Sequence, residues 1–206
     1  MIFGAFFIVL EGVKMNTLGM KFLFPVGGGE QSCVAAWLTH RMVAVRQCLD
    51  DGLPEAALTL LYSGIDTLGL LNAPTSTTDA SRSTFVDWCE RYVLPRLSST
   101  DVTAPTPMDL YAARCGVLHT STAEAEHGRE GDVRELGYTF RGKAAVNPVP
   151  NTPKPPLLVE IERLVGAFEE GSRAFVADLS EDKSRFEIAE RRAGQFFSWE
   201  TLQRAS

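Results

Sequence analysis

Leu58, Leu61, Ile65, Leu68 and Leu71 recur every three or four residues, the spacing that lines up side chains on one face of an α-helix. Pro54 stands where the first turn of such a helix accepts it, and Asn72-Ala73-Pro74 ends the run. A stripe of five large aliphatic residues has to be buried against other elements, so this chain needs partners for it. The flanking sequence supplies helices. Upstream, Val34, Leu38, Val45, Cys48 and Leu49 repeat near 3.6 residues between Ser32 and Asp51-Gly52. Downstream, Thr84 is the candidate N-cap of a helix from Phe85 to Leu97, with Val86, Cys89, Tyr92 and Val93 inward. Thr106-Pro107-Met108-Asp109 combines a capping hydroxyl, a first-turn proline and an acidic first turn, and so predicts another helix start. Leu157 to Leu179 and Arg185 to Trp199 are amphipathic at helical period.

The expected fold is therefore all-α, an up-and-down bundle of about five to six helices, with one short strand or hairpin near 134–141. Pro148, Pro150, Pro153, Pro155 and Pro156 mark a stiff linker over 147–156 within a single domain of residues 31–206. Residues 1–30 form an N-terminal extension set off by Gly27-Gly28-Gly29. Its apolar run, Ile2 to Leu10, has signal-peptide length, but no basic residue precedes it and Glu11 follows at once. The expectation is a strand-like or disordered extension, or a true start at Met15 or Met20. The run is too short to span a bilayer, so no membrane partner is expected.

A chain of 206 residues with 45% hydrophobic residues buries a core without disulfides or metals. The four cysteines, Cys33, Cys48, Cys89 and Cys115, form no C-x-x-C pair, which argues against zinc-finger and redox motifs and for a reducing, cytoplasmic setting. The net charge of −6 gives no general attraction to nucleic acid, so any such contact must come from a local basic cleft.

Chemistry narrows by elimination. Gly27-Gly28-Gly29 is followed by Glu30 and lacks the Lys-Ser/Thr pair of a phosphate loop. His40, His119 and His127 share no metal-ligand spacing, and Cys115 with His119 has no second ligand pair, so no metal or cofactor is implied. Cys115 as a nucleophile with His119 as its base lacks a third, orienting group. Arg114 and His119 remain, on the helix begun at Thr106. Their ordinary roles would be an ion pair of Arg114 with Asp109 or Asp66, and a helix-end position for His119. Asp66 is either part of a solvated face or a carboxylate that orients Arg114 or His119 from the neighbouring helix. Tyr111 either lines the same cleft or fills core. Arg129, Arg134, Arg141 and Lys143 read as solvated surface rather than an RNA grip, because Glu130, Asp132 and Glu135 lie among them.

The run Asp109-Leu-Tyr-Ala-Ala-Arg114-Cys-Gly-Val-Leu-His119-Thr resembles the signature helix of the HEPN superfamily (higher eukaryotes and prokaryotes nucleotide-binding), an Arg, four to six residues and a His late in a helical bundle. The resemblance covers about a dozen residues of this chain. It implies a metal-independent endoribonuclease, of the kind found among toxins and defence proteins. It also implies a homodimer that pairs two motifs across one cleft, with RNA as substrate and an antitoxin or regulatory protein as a further partner. Where the family often has a polar residue after the arginine, this chain has Cys115. That departure keeps a second expectation open, a non-catalytic helical module binding a partner protein, nucleotide or RNA.

The two residue types suit phosphodiester cleavage through the RNA 2′-hydroxyl. A histidine such as His119 can take or give a proton at neutral pH, while Arg114 can hold phosphoryl oxygens through two parallel N–H donors. Residues five apart in a regular helix point about 140° apart, so the pair converges most simply across two protomers.

Overall fold

The computed structural model describes residues 32–97, 104–118, 133–146 and 156–196. The N-terminal extension, His119, His127, Arg129, Trp199 and most of the proline-rich linker lie outside them. Among the described residues the chain forms α1 (Cys33–Asp50), α2 (Pro54–Asn72), α3 (Arg82–Trp88), a π-helical segment (Cys89–Val93), α4 (Leu94–Leu97), α5 (Pro107–Leu118), β1 (Leu136–Phe140), β2 (Lys143–Val146), β3 (Leu157–Glu160), α6 (Ile161–Glu181) and α7 (Lys183–Phe196). With α3, the π segment and α4 running on as one rod, this is a bundle of six helices carrying a small sheet.

Helix α2 is the axis, touching α1, α3, α5, α6 and α7. Its sequence explains this: beyond the leucine stripe, Ala57, Tyr62, Gly64 and Gly69 are also buried, so the helix is enclosed on most of its circumference. Gly64 and Gly69 let neighbours approach. A Cβ at Gly69 would stand 2.5 Å from the Thr84 carbonyl oxygen, and one at Gly64 would stand 2.9 Å from the Phe168 ring. Only Thr59, Leu60, Ser63, Asp66 and Thr67 leave the middle of α2 less than buried, and their spacing makes them one stripe.

Two expectations need correction. The cap of α3 is Ser81, not Thr84: the Ser81 hydroxyl accepts from the Thr84 amide, and the Thr84 hydroxyl accepts in return from the Ser81 amide. Helix α6 begins at Ile161 rather than Leu157, because Leu157–Glu160 is a strand. That strand pairs in parallel with β1, Leu136 opposite Leu157 and Tyr138 opposite Val159, and gives the sheet the order β2-β1-β3. The hairpin from β1 to β2 turns at Arg141 and Gly142, both at positive φ (50° and 71°), as a two-residue hairpin turn of this kind requires. The strand foreseen near 134–141 is β1, and a mainly helical bundle with a small strand element is what the chain forms.

Arginines finish several helices. Arg192 donates to the carbonyls of Leu70, Ala73, Pro74 and Thr77 at 2.6–2.7 Å, closing the end of α2. Arg163 donates to Leu97 at the end of α4, and Arg141 to Leu49 and Asp50 at the end of α1. Each places a cation at the negative end of a helix and satisfies carbonyls that have no partner within it.

Candidate functional site

Helix α5 starts as its sequence indicates. The Asp109 amide donates to the Thr106 hydroxyl at 3.1 Å, and the Thr106 amide donates back to the Asp109 carboxylate at 2.8 Å. Asp109 is fully buried and also accepts from the Arg134 backbone and guanidinium, which ties the approach to β1 onto the start of α5. Arg134 is therefore a structural tie rather than solvated surface, whereas Arg141 is exposed, as expected, while also capping the end of α1. The tie at Asp109 fixes the pitch of α5 and the face that its last turn offers to α2.

On that turn Arg114 meets Asp66 of α2. Its Nε and Nη2 both donate to Asp66 Oδ2, at 2.8 and 2.7 Å, with the two side chains 19% and 15% exposed. Burial works against the charge of the guanidinium, but the hydrogen bond and charge of Asp66 outweigh it, so Arg114 holds its proton more tightly than an ordinary arginine. The guanidinium carbon lies 5.8 Å from the centre of the Tyr111 ring, which itself meets Phe85 edge-on at 5.6 Å. Tyr111 is thus half core and half site. Its phenol titrates above the usual tyrosine value, from burial first and the neighbouring Cys115 second. Arg114 Nη1 lies 3.9 Å from Cys115 Sγ, and that thiol is buried.

Asp66, Tyr111, Arg114 and Cys115 therefore come together, and of the two ion pairs open to Arg114 the one formed is with Asp66. His119 follows the last residue of α5 and lies outside the described residues. Beneath the site, burial and the Asp66 charge raise the Cys89 thiol well above its usual range, which keeps it neutral and unreactive. Further in, the Tyr62 and Tyr138 hydroxyls hydrogen-bond to each other, joining α2 to β1.

No family model, curated protein or solved structure matches this chain. The site is accordingly read from its own geometry. Among the described residues no group of three or more His, Cys, Asp and Glu is placed to hold a metal ion, and no helix is long and apolar enough to cross a membrane.

The sequence alone does not single out Arg41, which lies near the same face of α2. Arg41 of α1 donates to the Ser63 hydroxyl at 3.0 Å and reaches toward the Leu60 carbonyl at 3.4 Å, with its guanidinium 5.2 Å from the centre of the Trp37 ring. Burial alone lowers its proton affinity, and among the described residues no carboxylate offsets that. Arginine next to tryptophan at i,i+4 on α1 is a visible sequence signal, but nothing in one sequence says that Ser63 lies opposite.

Proposed function

We propose that this protein is a HEPN-like, metal-independent endoribonuclease acting as a homodimer, with Arg114 holding the scissile phosphate and His119 moving the proton. The observation that supports this reading most is the Arg114–Asp66 pair. A carboxylate from the central helix holds the guanidinium in one orientation on the last turn of α5, a turn that leads directly to His119. An arginine fixed before substrate arrives loses less side-chain entropy on binding phosphate, and its planar fork presents N–H donors in a set geometry. During cleavage the 2′-hydroxyl gives up a proton as its oxygen bonds to phosphorus, the phosphorus–O5′ bond breaks to leave a 2′,3′-cyclic phosphate, and the leaving O5′ gains a proton. His119 serves one or both transfers, and Arg114 stabilises the charge on the non-bridging oxygens. A toxin or defence setting, with an antitoxin as partner, belongs to the same proposal.

A second reading is favoured by a specific feature. Asp66 already balances the charge of Arg114, and Cys115 beside it is buried, which also suits a non-catalytic module that binds a protein, nucleotide or RNA through this face. Incubation of the purified full chain with single-stranded RNA in excess EDTA separates the two. The ribonuclease reading requires cleavage that persists in EDTA and falls by at least about a hundredfold in His119→Ala and in Arg114→Ala, the usual scale of acid–base and phosphate-holding groups. Cleavage that survives either substitution removes that residue from the mechanism, and absence of cleavage by the native chain leaves the binding module.

A further inference from the structure

The stripe of α2 that is not enclosed, Thr59, Leu60, Ser63, Asp66 and Thr67, has α1 on one side and α5 on the other. Both helices pack on α2 without packing extensively on each other, and the stripe between them carries three hydroxyls, Leu60 and one carboxylate. Each flanking helix contributes one arginine tied to the stripe: Arg114 from α5 to Asp66, and Arg41 from α1 to Ser63. Ser63 and Asp66 are i and i+3 on a helix, so their Cβ atoms are about 5–6 Å apart. That is the scale of the separation between neighbouring phosphates on one nucleic-acid strand.

The two arginines differ electrically. Arg114 is balanced by Asp66, whereas among the described residues no carboxylate faces Arg41. Arg41 is also restrained: Trp37 lies beside its guanidinium, Ser63 and Leu60 take one edge, and its stem crosses Gly64, where a Cβ would stand 3.6 Å from Arg41 Cγ. Keeping a partly desolvated cation that no described carboxylate balances in a fixed pose costs stability unless an anion makes use of it.

We infer that Arg41, set on Ser63 and Trp37 across this stripe of α2 from Arg114, is a second phosphate subsite that binds the phosphate next to the scissile one on a single-stranded RNA. This rests on the ribonuclease reading for the role of Arg114, but the subsite itself needs only binding. Arg41 supplies positive charge that draws the strand in, and Arg114 then meets the adjacent phosphate. Ser63 and Trp37 act as positioning residues for the Arg41 guanidinium.

The test uses the full-length protein and a fluorescently labelled 2′-O-methyl RNA, which binds but cannot be cut through its 2′-oxygen. Its affinity is measured by anisotropy across a series of salt concentrations for the native chain, Arg41→Gln and Arg41→Lys. Glutamine removes the charge and keeps an amide donor on a shorter stem; circular dichroism confirms that each variant retains its helices. Losing one phosphate contact on a single strand lowers the log–log salt slope by about 0.7. The expected result for Arg41→Gln is that fall in slope with affinity weakened roughly tenfold, and an intermediate loss for Arg41→Lys, which keeps charge without the fork. On unmodified RNA in EDTA, KM rises while kcat stays within about twofold, because the contact lies away from the reacting atoms. Unchanged affinity and slope in Arg41→Gln overturn the subsite, even if the native chain cleaves RNA. Arg41-dependent binding without any cleavage overturns the ribonuclease reading and leaves the subsite standing. Displacement of the oligonucleotide by equimolar nucleoside diphosphate, through Arg41, overturns the strand as ligand in favour of a free nucleotide.

Discussion

At the scale of single residues, the molecule turns on how it disposes of charge in places where water is scarce. Asp66 sits on the most enclosed helix, at 15% side-chain exposure, and a lone carboxylate there would be poorly solvated. Arg114 resolves this with two N–H bonds to one oxygen. Replacing Asp66 by Asn keeps shape and an acceptor but removes the charge, so urea denaturation is expected to show a loss of about 1–3 kcal/mol. Removing Arg114 instead, as Arg114→Met, leaves the carboxylate without its partner and is expected to cost at least as much. The double variant settles whether the pair is coupled: it should be less destabilised than the sum by about 1 kcal/mol or more. Strict additivity would mean that the two side chains stabilise the fold independently and that Asp66 does not orient Arg114. This pair was only partly legible in the sequence. The spacing of Arg114 on its helix, and Asp66 as a polar break in an apolar stripe, are both visible; that they face each other depends on how α5 crosses α2, which no local pattern encodes.

At the scale of elements, close approach at glycine decides how the rods stack. On α6, a Cβ at Gly171 would stand 2.5 Å from the Tyr92 carbonyl oxygen, in the π-helical segment, whereas a Cβ at Gly166 meets nothing within 4 Å. The same substitution should therefore act in opposite directions on one helix. Gly166→Ala is expected to raise stability by about 0.5–1 kcal/mol through the lower entropy of the unfolded chain. Gly171→Ala is expected to lower it by about 1–3 kcal/mol as α6 is pushed off the π segment. Urea midpoints that move the same way for both would show that this packing is not tight. The tie between bundle and sheet makes a pH prediction. Burial raises the Tyr62 and Tyr138 phenols in the folded state, so the unfolded chain releases those protons first. Their contribution is complete below about pH 10 and is lost as pH rises further, by up to about 1.4 kcal/mol per pH unit for each phenol. Tyr138→Phe should flatten the decline between pH 9 and 11, and an unchanged slope would put the alkaline loss elsewhere. Helices α1, α2 and α5 were legible because caps, prolines and apolar period agree in their sequences. Strand β3 was not: Leu157, Leu158 and Val159 also suit a helix start, and only pairing with β1, a contact distant in sequence, makes them a strand. The Ser81 cap was obscured by Thr84, an equally good capping residue three positions on that takes the reciprocal role.

At the scale of the whole molecule, the proposed chemistry makes a demand on assembly. Were the helix to run on regularly through residue 119, His119 would lie about 140° round from Arg114, and one motif would not bring both groups to one phosphate. Two copies of α5 meeting about a two-fold axis satisfy the demand, because each site then takes its arginine from one protomer and its histidine from the other. Such composite sites give a quantitative signature. Arg114→Ala and His119→Ala homodimers are both inactive, but a dimer of one chain of each kind retains one site with both groups and one with neither. Random exchange of subunits makes half of the dimers mixed, so unfolding and refolding an equal mixture should restore about a quarter of native cleavage. The measurement is cleavage of RNA in EDTA before and after co-refolding, with light scattering to follow the mass of the particle. Sites contained within single protomers predict no recovery at all, since every chain in the mixture lacks one of the two groups. A dimeric mass with no recovery would therefore reject the shared site while leaving the dimer, and recovery near a quarter would assign arginine and histidine to opposite chains.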